Sequence, residues 1–210
     1  MQKLAIIGAG DLGQLIAHHA INDGHYELVA FFDDVFPLQH KEFGVPVVGR
    51  TNQVFEFYKN NIFDCIMLAI GYKHMDARKK KFEELKGKIP FGRVIHSSSY
   101  IDKSVKLGEG VFILPGCTVD KDVVLGDNVL LNTGVVIAHD TTIDSHCFVS
   151  PAASIAGKLH IKECCSIGIN ATIIDNVTIE KNIRIGGGAV VITNLTEPGL
   201  YVGVPAKKVK

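Results

Sequence analysis

The sequence has no tryptophan and no excess charge of either sign, with 22 Lys and Arg set against 22 Asp and Glu. That balance lacks the basic footprint that binding to nucleic acid or an anionic membrane requires. No apolar run reaches bilayer length, and Leu-Ala-Ile-Ile after Met1-Gln2-Lys3 is too short for a signal peptide. The cysteines (Cys65, Cys117, Cys147, Cys164 and Cys165) are an odd set without the spacings of a zinc site or a disulfide framework. Together these absences predict a soluble cytoplasmic protein with no nucleic-acid partner, no membrane partner and no metal.

What is present is repetition. Stepping by six from Ile101 through Leu107, Ile113, Val119 and onward to Val191 meets Leu, Ile or Val at every step. Ordinary sequences do not hold such agreement, so the period is architectural. Four residues after each aliphatic the side chain is small or medium-sized, as at Val111, Cys117, Val135 and Ala153. Three residues after, Gly, Asn or Asp recurs, as at Gly110, Asp122, Asn128, Gly134, Asp140 and Asn170. Those types tolerate the left-handed backbone that a corner every six residues needs. Three hexapeptides close one triangular coil of short parallel strands, with the aliphatics inside. Each buried aliphatic contributes about 1.5–3 kcal/mol.

The first ninety residues follow a different pattern. Buried-strand runs at Leu4–Ile7, Glu27–Phe32 and Cys65–Ile70 alternate with helical stretches to about Asn22, over Gln53–Lys59 and over His74–Leu85. Val45–Val48 adds a short strand. This alternation predicts a small parallel α/β sheet. The helix at His74–Leu85, with Arg78, Lys79, Lys80 and Lys81, is expected at the surface. The predicted divisions are 1–93, a coil over 94–191, and a tail over 192–210.

Gly8, Gly10 and Gly13 fit G-x-G-x-x-G between a strand and a helix, and Asp33 ends the next strand. This is the dinucleotide fingerprint, in which backbone approaches a phosphate at a helix N-terminus. Ninety residues hold only half of a dinucleotide fold. One nucleotide, as in a nucleotide-sugar, fits better than NAD, and a purely structural glycine turn is the third alternative.

The pairing of such a half-domain with a hexapeptide coil resembles the bacterial sugar O- and N-acetyltransferases of the sialic acid O-acetyltransferase and bacillosamine-pathway type. The resemblance covers essentially the whole chain. Its motifs are Ile7-Gly8-Ala9-Gly10, Phe32-Asp33-Asp34, Ala69-Ile70-Gly71, Leu131-Asn132-Thr133-Gly134, His139-Asp140, Val149-Ser150-Pro151, Ala156-Gly157 and Gly203-Val204-Pro205-Ala206. It implies an N-terminal half-Rossmann domain followed by a left-handed parallel β-helix, assembled as a homotrimer. It implies a nucleotide-sugar held by Gly8, Gly10, Gly13, Asp33, Asp34, Gly71, Tyr72 and Lys73, with Asn132 near the sugar or the acetyl carbonyl. It implies catalysis by His139 and Asp140, and acetyl-CoA at Phe148, Gly157, Ile169 and Gly187. The chain departs from the family at Leu12 and Phe148, where relatives carry histidines, and at Tyr72-Lys73, where Asp or Asn is usual.

The residues can be read without the resemblance. Acetyl transfer to an amine needs a base near neutral pH, and imidazole suits it. His139 lies in the exposed part of its hexapeptide, where a merely solvated histidine would also be at home. Asp140 either orients that imidazole or occupies a turn slot that favours Asp. Gly157 and Gly187 either admit acetyl-CoA or form tight corners. Cys117, Cys147 and Cys165 read as small core residues; His18 and His19 have no metal-ligand partners, and His146 and His160 are expected on the coil surface. The expected function is acetyl-CoA-dependent N-acetylation of a nucleotide-linked amino sugar for a surface glycan such as lipopolysaccharide. The alternatives are sugar O-acetylation, a non-catalytic scaffold and an NAD oxidoreductase.

Overall fold

The computed structural model describes residues 1–210, which divide into two compact units, Met1–Val94 and Ile95–Lys210. The first unit is built from β1 (Gln2–Ile7), α1 (Asp11–Asn22), β2 (Tyr26–Phe32), β3 (Lys41–Glu42), β4 (Val45–Gly49), α2 (Val54–Lys59), β5 (Cys65–Leu68) and α3 (Met75–Leu85). Its sheet runs β3-β4-β2-β1-β5, parallel except for the β3–β4 hairpin. Leu4, Ala5, Ile6 and Ile7 are all buried, as a strand covered on both faces requires. Helix α1 buries Gly13, Ile16, Ala17 and Ala20, one stripe at helical spacing. Phe32 packs edge-on to Phe57 and Phe63 in the core. The chain leaves β1 toward β2 and later returns to β5 on β1's other side. The strand order therefore reverses at the carboxyl end of β1, the place where open α/β sheets form a ligand crevice.

Helix α3 corrects one expectation. Arg78 is not solvated with its lysine neighbours but 1% exposed, and its Nη1 donates to Ile70 O at 2.8 Å. A surface-like charge pattern does not exclude one face of a helix from turning inward, here the stripe of Arg78, Phe82 and Leu85.

In the second unit, two-residue strands recur every six residues and form three parallel faces. The first face stacks 100–101, 118–119, 136–137, 154–155, 172–173 and 190–191. The second stacks 106–107, 124–125, 142–143, 160–161 and 178–179. The third starts at 94–95 and runs through 112–113, 130–131, 148–149, 166–167 and 183–185. Partners lie 18 residues apart, as in Val119↔Ile137↔Ile155. The core holds both inward positions of each hexapeptide, the six-step aliphatics and the residues four after them.

Every corner slot from 110 to 188, taken in steps of six, has φ between 54° and 71°. Gly, Asn and Asp fill most of them, but so do His146, Ala152, Lys158 and Cys164. A Cβ there costs roughly 1–2 kcal/mol, so the stacked coil imposes the conformation even where the residue disfavours it. The segment after Val191 pairs back onto the coil. Gly199–Val202 runs beside Ile183–Ile185, Lys207–Lys208 runs antiparallel to it, and Leu195 and Tyr201 are buried at the end of the core.

Candidate active site

His139 stands on the edge between the first and second faces, in the corner that joins strands 136–137 and 142–143. Its Nδ1 lies 2.7 Å from Asp140 Oδ2, and both side chains are about two-fifths exposed (44% and 41%). A carboxylate only accepts, so Nδ1 carries the proton of the neutral ring and Nε2 keeps its lone pair. The hydrogen bond from His139 holds the Asp140 carboxyl below the usual range, with the charges of Lys121 and Lys158 adding to the effect. Asp140 also has φ +57°, so it fills the turn slot while its carboxylate accepts from the imidazole.

Gly157 lies one coil beyond His139. A Cβ there would come within 2.9 Å of His139 Cε1 and 3.0 Å of Nε2. Gly157 does not have the left-handed backbone, so its lack of a side chain serves space. The space is taken by the imidazole itself.

Asn132, Ile169 and Gly187 belong to the opposite edge of the first face, between it and the third. Asn132 Oδ1 accepts from Thr133 N at 2.8 Å. Ile169 is 61% exposed, and Gly187 stacks on it one coil further, its absent Cβ 3.3 Å from Ile169 O. Phe148 projects from the third face, nine residues or half a coil from His139, and is buried. Within one chain the structure thus gathers His139, Asp140 and Gly157, and does not bring Asn132, Phe148, Ile169 or Gly187 to them. A Cβ on Gly168 would meet Gly186 C and Gly187 N at 2.5 Å, the same close stacking of corners that Gly108 and Gly126 show on another edge of the coil.

The first unit sorts the glycine motif into roles. Gly8 has φ +106° and packs on Ala69, while a Cβ on Gly13 would sit 2.0 Å from Gly8 O, so Gly13 closes the helix onto the turn. Gly10 and Gly71 have nothing within 4 Å of their missing side chains. They follow β1 and β5, on either side of the switch point, and Gly10 caps α1 without any side-chain bond to its free amides. Tyr72 and Lys73 open the turn after Gly71 and are exposed.

Asp33 is nearly buried, and both its oxygens are engaged by backbone. Oδ2 accepts from Ala9 N at 2.7 Å, and Oδ1 from Val35 N at 2.7 Å and Phe36 N at 3.0 Å. Asp34 accepts from Thr51 N and Oγ1, which with nearby Lys81 and Arg50 lower its pKa.

His146 departs from expectation. It is 3% exposed and meets Asn128 Nδ2 through Nδ1 at 3.2 Å, whereas His160 is exposed and pairs with Asp144. Position in the hexapeptide does not reveal which corners are covered. Cys117, Cys147 and Cys165 are buried in the coil core. No group of three or more His, Cys, Asp or Glu side chains converges, and no helix is long and apolar enough to cross a membrane.

Residues 3–85 match the model of the PglD N-terminal domain family. The whole chain superposes on a perosamine N-acetyltransferase from Caulobacter crescentus, crystallised as a histidine variant with CoA and GDP-perosamine. The TM-score is 0.92 at 28% identity, covering 100% of this chain and 98% of that one. It also superposes on the acetyltransferase domain of PglB from Neisseria gonorrhoeae, with TM-score 0.91, 30% identity and full coverage of both chains. That domain has been solved with acetyl coenzyme A as well. WeeI from Acinetobacter baumannii shares the fold at 22% identity, with TM-score 0.84 over both full chains. No curated protein sequence matches the chain. A half-Rossmann unit followed by a left-handed parallel β-helix is the architecture of this chain.

Proposed function

Because the chain belongs to the hexapeptide-repeat sugar acetyltransferases with a PglD-type N-terminal domain, we propose that it transfers acetyl from acetyl-CoA to the amine of a nucleotide-linked amino sugar. One observation carries the chemistry. An imidazole is oriented by a carboxylate at Nδ1, and its other edge faces a position without a side chain. His139 Nε2 accepts the proton as the amine nitrogen attacks the thioester carbonyl carbon. The tetrahedral adduct then collapses, the C–S bond breaks, and the imidazolium returns its proton to the departing CoA sulfur. Asp140 stabilises the charged ring between those steps. The amine acceptor is favoured over a hydroxyl by the perosamine N-acetyltransferase likeness, which is 28% identical over the full chain.

The nucleotide-sugar is assigned to the switch point. Gly10 and Gly71 leave room there for phosphate to reach backbone amides, with Asp34, Tyr72 and Lys73 at the rim. Asp33 serves that site by holding Ala9 in place. Asn132 is assigned to the sugar or the acetyl carbonyl, and Phe148, Gly157, Ile169 and Gly187 to acetyl-CoA.

A homotrimer accounts for the two separate edges. The outward residues of the first face are Tyr100, Thr118, Val136, Ser154, Thr172 and Val190, none of them charged. Exposed Ile169, Ile174 and Ile192 flank it, whereas the second face carries the His160–Asp144 and Lys162–Glu180 ion pairs. A heterologous interface closing on three copies sets the His139 edge of one subunit against the Ile169 edge of the next. We place the enzyme in the cytoplasm, supplying an acetylated sugar for a surface glycan.

The test is His139→Ala, assayed on protein whose solution mass has been measured and is expected to be that of three chains. Turnover should fall roughly 10²–10⁴-fold, the usual worth of a general base, with binding of both substrates kept. Full activity in this variant would remove the reading.

A further inference from the structure

We propose that Thr141 is a positioning residue for acetyl transfer, because its hydroxyl fastens the Gly157 corner at a set height above the His139 imidazole. The inference rests on the reading of His139 as the base.

Thr141 occupies the inward slot four residues after Ile137. From 111 to 189 the other residues of that series are Val, Cys, Ala, Leu or Ile, and Thr141 alone carries a hydroxyl. It is 0% exposed. A hydroxyl in an apolar column is costly unless it is bonded, and valine would fill the same volume. Thr141 Oγ1 donates to Ala156 O at 3.0 Å and accepts from Leu159 N at 3.2 Å. These atoms flank the corner that contains Gly157. Lys158 N donates to His139 O at 3.0 Å, a backbone bond that the neighbouring corners also make, and the Thr141 hydroxyl adds two ties to it.

On this edge of the prism no other coil pair is joined in this way. The inward residue one coil before Thr141 is Val123 and one coil after is Leu159, and neither has a donor or acceptor to offer. The bridge therefore falls on the one pair of coils that carries His139 and Gly157. The fit there is close, since a Cβ on Gly157 would already lie within 3.0 Å of the ring. Small changes in coil height alter where a thioester can sit relative to Nε2.

The same two-bond bridge occurs elsewhere and supplies a control. Ser99 Oγ donates to Leu114 O at 2.8 Å and accepts from Cys117 N at 3.0 Å, on the edge between the third and first faces. Cys147 and Cys165 make the donor half of it, to Lys162 O and Glu180 O. A purely structural role predicts that Thr141 and Ser99 behave alike.

The experiment compares Thr141→Val, Thr141→Ser and Ser99→Ala with the wild type in melting temperature, kcat, and KM for acetyl-CoA. Both Thr141→Val and Ser99→Ala should lower the melting temperature. Only Thr141→Val should lower kcat, by roughly ten- to hundred-fold, the sensitivity expected when a reacting geometry shifts by a fraction of an ångström to an ångström. KM for acetyl-CoA should stay within a few-fold, and Thr141→Ser should restore kcat. If Thr141→Val turns over like the wild type while His139→Ala is inactive, the inference fails and the base assignment stands. If His139→Ala is itself fully active, the underlying reading fails and takes this one with it. Should Thr141→Val not fold, Thr141→Cys carries the test. It keeps a donor for Ala156 O, as thiols at 147 and 165 do, but offers Leu159 N only a weak acceptor. Reduced kcat is expected there, and wild-type kcat would overturn the proposal.

Discussion

Replacing Gly157 by alanine adds one methyl group at the point where the imidazole lies. The new carbon would sit 2.9 Å from His139 Cε1, 3.0 Å from Nε2 and 3.2 Å from His139 O. Ordinary van der Waals contact begins about 0.4–0.5 Å further out, so one of the partners moves. The backbone of residue 157 does not have positive φ, so alanine adds no torsional strain of its own. The ring is the softer partner, since its side chain is 44% exposed and held mainly by Asp140 Oδ2. A displacement of roughly 0.5–1 Å follows, with the Asp140 bond bent or lost. A shift of that size at a reacting atom costs up to about 10²-fold in turnover. Thermal stability should barely change, because the displaced group is at the surface. The assay is steady-state acetyl transfer at saturating acetyl-CoA, with melting temperature measured in parallel. Wild-type kcat in a stable Gly157→Ala protein would refute the placement of the base against Gly157.

Two other outcomes follow from the same geometry. Gly10→Ala and Gly13→Ala should part company: the first projects into open space and should weaken nucleotide-sugar binding with acetyl-CoA binding kept, whereas the second drives a carbon to 2.0 Å from Gly8 O and should destabilise the first unit. Equal effects in a calorimetric comparison would mean the loop's division of labour is wrong. Asp140 should titrate below ordinary aspartate, and His139→Ala should move it back up, because the hydrogen bond to His139 is the largest cause of its lowering. A group whose folded pKa is depressed stabilises the fold above its unfolded value, about 3.9, and loses that contribution as pH falls through the lowered one. A carboxyl NMR titration of Asp140 that is identical in both proteins would contradict the pairing.

The amino-acid sequence by itself determined the coil. Period six is a property of neighbouring residues, and an aliphatic at every sixth place with a turn-tolerant residue three later admits one architecture. It also marked Gly8-Ala9-Gly10 and His139-Asp140, because their chemistry lies in adjacent residues. The 18-residue coil also set Gly157 one coil beyond His139. That the imidazole itself fills the space over Gly157, and that Thr141 bridges to Leu159, require the stacked coils. That the Asp33 carboxylate accepts from Ala9 N, across 24 residues, is likewise a matter of tertiary structure. His146 and Arg78 read as surface residues because a side chain's burial is set by what packs over it, which no local period encodes. The division of the predicted site between two edges of the prism has a different origin: His139 and Ile169 are both corner residues, and the 30 residues between them, one and two-thirds of an 18-residue coil, set them on different edges once the coil closes.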